Sequence, residues 1–208
     1  MEDVVEEIVP LGGRDVRLLR PRDTESLLDE AAFQHEEFLP YWAEMWPSSI
    51  ALARAVAART LGGRRVLELG CGLGLPSIVA ALAGADVLAT DWAPDALTFV
   101  ACNAEANGAA VRTARVAWSE PGPLLDGAPW DLVLASDVLY ERRMADELLT
   151  LLPRLLDARG AVLLADPGRP AAEVFLRRAR ERWEVQSRRD RAGPRVQVHR
   201  LRLRATQP

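Results

Sequence analysis

The chain predicts an α/β fold: a doubly wound, mostly parallel, seven-stranded Rossmann-like sheet with an antiparallel C-terminal hairpin and a small N-terminal β-hairpin and helix extension. Three observations carry this. From Arg65 onward, short apolar runs alternate with stretches of helical periodicity, a pattern that makes parallel strands joined by crossover helices. The runs are almost continuously apolar, as in VLLA at 162–165, which suits strands covered on both faces. After Trp183 the pattern becomes an alternation of apolar and polar residues on either side of a Gly-Pro turn, the mark of an antiparallel pair.

Taken in order, Val4–Val9 and Val16–Arg20 flank Leu-Gly-Gly-Arg, a hairpin signal. Asp23 opens an amphipathic helix, with Thr24 and Glu25 in its first turn and Leu27, Leu28, Ala31 and Ala32 on one face. An aromatic stretch follows, EFLPYWAEMWP, interrupted at Pro40 and Pro47. Ser48 or Ser49 then caps a helix that runs to Arg59. We place the domain boundary here, with residues 1–47 as the extension and 48–208 as the main domain. Strands are predicted at 65–69, 86–90, 114–118, 131–135 and 161–165, and helices at 75–83, 94–106, 142–157 and 170–181. Trp183–Asp190 and Arg195–Arg204 form the closing hairpin.

Composition narrows the setting. The acidic start, MEDVVEEIVP, lacks the basic-then-apolar order of a signal peptide, and the longest apolar run, Leu73–Ala85, is too short and too rich in glycine for a membrane span. Cys71 and Cys102 match neither a disulfide framework nor a zinc spacing, so no metal is expected and a reducing, cytoplasmic setting is. A net charge of −4 argues against general nucleic-acid binding. Every basic residue is Arg, as compositional bias would produce. Residues 177–204 hold eleven arginines against three acids. Solvated, aggregation-resistant edges explain this, and so does a docking face for an acidic partner. Nothing in the sequence demands more than a monomer.

The chemistry gathers at LELGCGLGLPS, residues 67–77. Alternate glycines after a strand and before a helix let backbone close on a ligand. A Walker loop would end in Gly-Lys, and this chain has no lysine. A dinucleotide fingerprint needs a glycine at 75, where Leu75 stands; the third glycine is Gly74. Glu68 precedes the loop, and Asp91 ends the next strand, where a carboxylate can accept both hydroxyls of a ribose.

Glu-x-Gly-x-Gly-x-Gly followed by a strand-terminal acid resembles the S-adenosylmethionine site of seven-strand methyltransferases. The resemblance covers about residues 42–204. Three further marks, PYWAEMWPSS, Asp137-Val-Leu-Tyr140 and ADPGRP at 165–170, resemble family 16 of these enzymes, and within it the branch acting on a lysine of the electron transfer flavoprotein β-subunit. Bacterial relatives of that branch are often labelled nicotinamide N-methyltransferase-like. The resemblance implies S-adenosylmethionine as cofactor, held by Trp46, Glu68, Gly70, Cys71, Gly72, Gly74, Asp91, Trp92, Trp118, Ala135 and Ser136. Glu68 would set negative charge beside the cofactor's cationic groups. Trp118 follows the third strand, where a core tryptophan and an adenine wall fit equally. Ala117 departs from the family at a position where Asp is common. Cys71 has no nearby His and is not read as a nucleophile.

Asp137 and Tyr140 are the candidate catalytic residues: Asp137 to attract and orient an amine and relay its proton, Tyr140 to set a ring against the cationic nitrogen. As alternatives, Asp137 caps the following helix and Tyr140 packs in the core. Arg169 could grip a substrate carboxylate or make local bonds. The implied acceptor is a lysine of a protein partner. A small amine or pyridine is the alternative, and a non-catalytic cofactor-binding protein is the alternative of another class.

Overall fold

The computed structural model describes residues 3–24, 40–193 and 195–204. The predicted helix after Asp23 falls almost wholly on residues 25–39 and so lies outside the described residues.

Strands β1 (Val4–Pro10) and β2 (Asp15–Pro21) form the expected hairpin, with Val9 opposite Val16. After a 3-10 turn at Tyr41–Ala43 the chain runs through α1 (Pro47–Ala57), β3 (Arg65–Leu69), α2 (Leu75–Leu82), β4 (Asp86–Asp91), α3 (Pro94–Ala106) and β5 (Val111–Arg115). It continues through α4 (Gly122–Asp126), β6 (Trp130–Ser136), α5 (Arg142–Leu155), β7 (Leu156–Asp166), α6 (Pro170–Ala179), β8 (Trp183–Arg189) and β9 (Gln197–Leu203). The main sheet has the order β5-β4-β3-β6-β7-β9-β8. Its first five strands are parallel. Strand β9 inserts between β7 and β8 and is antiparallel to both.

Strand parity builds two cores. Leu67, Val133 and Leu164 point to one face, against Leu148, Leu152 and Phe175 of α5 and α6. Val66, Leu132, Leu134 and Leu163 point to the other, against Leu52 of α1 and Ile78 of α2. Each such leucine contributes about 1.5–3 kcal/mol by leaving water. Val9, Val16 and Leu18 of the N-terminal hairpin are buried in this second core.

Two asparagines of α3 dock that hairpin. Asn103 accepts from Leu19 N at 2.6 Å and donates to Leu19 O at 3.1 Å, and Asn107 accepts from Arg17 N at 3.0 Å and donates to Arg17 O at 2.6 Å. The amides thus complete the edge of β2 as a third strand would. Asn103 also donates to Leu73 O in the glycine loop, at 3.1 Å.

Several expectations change. Strand β5 spans 111–115, not 114–118, and β7 starts at Leu156. Neither Ser48 nor Ser49 caps α1. Trp46 is its N-cap without a side-chain bond, and Pro47 sits in the first turn, where a missing N–H costs nothing. The strand order reverses between β3 and β6, so the switch point lies between Gly70 and Asp137.

Candidate active site

Open parallel sheets bind ligands outside the carboxyl ends of their strands, at the point of reversal. Here a cavity of about 390 Å³ opens at that point. The glycine loop, Asp91, Trp92, Trp118, Asp137, Tyr140 and, from the aromatic segment, Tyr41, Trp42 and Trp46 line it.

Gly72 has φ +50, and a Cβ there would lie 3.1 Å from the carbonyl oxygen of Trp42. Bare backbone therefore lets the aromatic segment rest on the loop. Asp91 is 6% exposed and lines the cavity. Its Oδ2 accepts from Gly72 N and its Oδ1 from Ala93 N, both at 3.0 Å. Each oxygen keeps a lone pair for a further donor, as two vicinal hydroxyls require. Burial raises the acid range of Asp91, and these backbone N–H groups work against that rise.

Gly70, Cys71, Trp92, Trp118, Ser136 and Trp46 also line the cavity. Burial pushes the Cys71 thiol well above its ordinary range, which leaves it an inert thiol. Trp118 lines the cavity and packs, partly buried, against the first core.

Three predicted residues do not line the cavity. Ala135 is 1% exposed and belongs to the core. Gly74 has φ +82 and heads α2; a Cβ there would lie 2.8 Å from Val100 Cγ2, so its bareness lets α3 pack. Glu68 lies wholly buried behind the loop, where Oε2 accepts from Ser77 N at 3.0 Å and Ser77 Oγ at 2.5 Å. Burial raises its carboxyl to about 8, so at neutral pH it is protonated and brings no negative charge to the crevice. It pins the first turn of α2 instead.

Asp137 follows β6 in a left-handed backbone conformation (φ +57), its N–H donating to Ala165 O at 2.9 Å. Its carboxylate accepts from Arg169 Nε at 2.5 Å and from Ser48 Oγ at 3.0 Å. Asp137 therefore caps no helix; α5 begins after Glu141, with no side-chain cap. Arg169 reaches Asp137 rather than standing free for a substrate, and its guanidinium lies 6.0 Å from the Trp46 ring. Asp166 stays behind this pair. Its Oδ1 accepts from Gly168 N and Arg169 N, and its Oδ2 is buried without a partner.

Tyr140 lies in a bend before α5, 36% exposed, with its ring 5.7 Å from that of Tyr41. The Tyr41 ring lies 6.3 Å from Trp46, whose Nε1 donates to Tyr41 O at 2.8 Å. Burial, reinforced by the charge of Glu141, pushes the Tyr140 hydroxyl up to about 12, so it stays a neutral phenol. Three rings and one carboxylate thus cluster in the cavity; the carboxylate and the Trp46 ring already hold the Arg169 guanidinium, while the Tyr41 and Tyr140 rings stand beside them.

Sequence reasoning missed Tyr41 as a wall and Ser48 as a partner of Asp137. It also missed Arg143, Met144 and Glu147, which line the cavity from α5. Their spacing from Tyr140 is helical and would have revealed them.

Sheet and crevice together define an open α/β protein with a ligand site at the carboxyl ends of its parallel strands. The lysine methyltransferase family profile matches residues 36–182, and the chain belongs to this family. The electron transfer flavoprotein beta subunit lysine methyltransferase of Danio rerio is 40% identical over 138 residues, which are 64% of this chain and 52% of that protein. Protein N-lysine methyltransferase METTL21A of Danio rerio is 36% identical over 152 residues, 69% of each chain. The chain thus spans about half the length of the first of these relatives. Among solved structures, a T. thermophilus 16S rRNA methyltransferase in complex with AdoMet and guanosine superimposes with TM-score 0.72 at 15% identity, covering 98% of this chain and 52% of that one. That likeness shows the fold.

Proposed function

We propose that the chain transfers a methyl group from S-adenosylmethionine to the side-chain nitrogen of a lysine in a protein substrate. Supporting it is a single cavity that joins a ribose-competent carboxylate, Asp91, to an aromatic and acidic end built from Tyr41, Trp46, Tyr140 and Asp137. Family membership and the lysine-directed names of the relatives agree with this reading.

The residues present fit the cofactor. Asp91 would take the ribose hydroxyls, the bare backbone at Gly70 and Gly72 would admit the methionine tail, and Trp92 and Trp118 would flank the adenine. Gly74, Glu68 and Ala135 support this cradle from behind. Bound there, S-adenosylmethionine supplies an electrophilic methyl group carried on a sulfonium.

The protein's own part is to prepare the amine. A lysine ammonium has a pKa near 10.4, so it must lose a proton before it can attack. Tyr41, Trp46 and Tyr140 strip water from it, which favours the neutral form. Asp137, held by Arg169 and Ser48, accepts an N–H bond and aims the lone pair. Such placement supplies on the order of 7–11 kcal/mol at best. Tyr41 and Tyr140 are 40% and 36% exposed while lining the cavity, so the mouth reaches the surface, as a long lysine stem requires and a small free amine does not.

The electron transfer flavoprotein β-subunit is the first substrate to offer, because several relatives are named for it. For Asp137→Ala we expect turnover on that subunit to fall by about 10²–10⁴, with cofactor affinity by calorimetry unchanged. Equal loss of binding and turnover would make Asp137 structural and defeat its assigned role.

A further inference from the structure

At the opposite end of the sheet a second cavity, of about 250 Å³, opens beneath the end of α1. Arg64 precedes β3, Asp131 is the second residue of β6, and Arg159 lies in the first half of β7, so this site sits at the amino ends of the parallel strands. The five residues of β3 at roughly 3.3 Å each separate it from the glycine loop.

Five arginines line it: Arg59, Arg64, Arg159, Arg200 and Arg202, against one acid, Asp131. Asp131 is already committed, accepting from Arg64 Nη1 at 3.1 Å and Arg65 N at 2.8 Å. Among the described residues, Arg159, Arg200 and Arg202 make no ion pair. Arg200 and Arg202 are two apart on β9, and Arg200 stands opposite Leu163, a residue of the core under α1. Both therefore project to the same face as Arg59. Arg59 is half-buried and donates to Ala55 O, and burial together with Arg200 and Arg188 lowers its acid range.

Like charges on a solvated face splay apart. Here five line one concavity, where low-dielectric walls focus their potential. We propose that this cavity binds a small, multiply charged phosphate-bearing anion, gripped by Arg59, Arg200 and Arg202. Guanidinium forks match phosphate oxygens two at a time. The volume lies below the roughly 300 Å³ at which pockets for drug-sized ligands begin, so the occupant is compact. Glu184 stands opposite Arg202 on β8 and breaks the positive surface outside the cavity, which disfavours a broad acidic polypeptide. The site is independent of methyl transfer.

Calorimetric titration of the full chain with inorganic tripolyphosphate tests this. The expected result is saturable binding of one equivalent. R59Q/R200Q should weaken it by about tenfold or more per arginine. R177Q/R182Q, the same charge change elsewhere, should leave it unchanged. R159Q/R202Q alters only exposed residues and gives the same reading if the first pair fails to fold. Absence of saturation in the wild type would overturn the proposal. So would equal weakening in R177Q/R182Q, or tighter binding of a glutamate peptide of the same charge.

Discussion

Asp137 combines a left-handed backbone, a carboxylate side chain only 6% exposed and two side-chain donors. That conformation costs a non-glycine residue about 1–2 kcal/mol, though Asp tolerates it better than most. The residue is held there by Arg169, Ser48 and the Ala165 carbonyl, which fix its oxygens toward the crevice. None of this was legible beyond the Asp-x-x-Tyr pattern itself, because Ser48 and Arg169 lie far from Asp137 in sequence. Glu68 teaches a similar lesson. Its place before the glycines was legible, but its protonation was not, since burial decides that. Its folded carboxyl titrates near 8 against an ordinary value of 4.5. Between those values the unfolded chain has released the proton and the folded chain still holds it, so this residue's contribution to stability falls as pH rises through the window. Glu68→Gln mimics the protonated form. Thermal melts from pH 5 to 9 should show the wild type losing more stability than the variant; parallel curves would refute the buried proton.

At the scale of elements, the glycine loop divides its labour. Gly74→Ala drives a methyl into Val100 and should cost about 1–3 kcal/mol of stability, read as a lower denaturant midpoint. Gly72→Ala puts a side chain at φ +50 and 3.1 Å from the Trp42 carbonyl oxygen in the cavity wall, so it should lower cofactor affinity by calorimetry as well as stability. If Gly74→Ala left stability untouched, the packing role would be wrong. Asn103 ties hairpin to loop, and Asn103→Ala leaves Leu19 N–H and Leu73 C=O without their partner. We expect a loss on the order of 2–4 kcal/mol by chemical denaturation; a neutral result would mean the hairpin docks by its apolar side chains alone.

Elements were legible where the burial pattern is regular: an amphipathic period for α3, an apolar run covered on both faces for β3. Helix α3 matches its predicted bounds, and β3 does as well. Strand β5 was displaced because it is an edge strand with little buried surface, while the apolar Val116 and Trp118 beyond it belong to the cavity wall. The start of β7 was hidden because Asp157, Ala158 and Arg159 are exposed. The short α4 went unread, since GPLLD carries too few residues for a helical period.

At the scale of the molecule, the sheet separates two chemistries. Carboxyl ends carry the glycines, the three rings and Asp137; amino ends carry the arginine-lined cavity. No helix of the described residues is long and apolar enough to cross a membrane. The sequence contains no lysine, so any methyl-lysine formed in an assay must come from another chain. This property makes one experiment decisive. The protein is incubated with methyl-labelled S-adenosylmethionine and the protein and small-molecule fractions of a cell extract, and the labelled product is hydrolysed and identified. The account predicts label in methyl-lysine from the protein fraction, abolished by Asp137→Ala. Label confined to small molecules, or none from a chain that binds the cofactor, would contradict it.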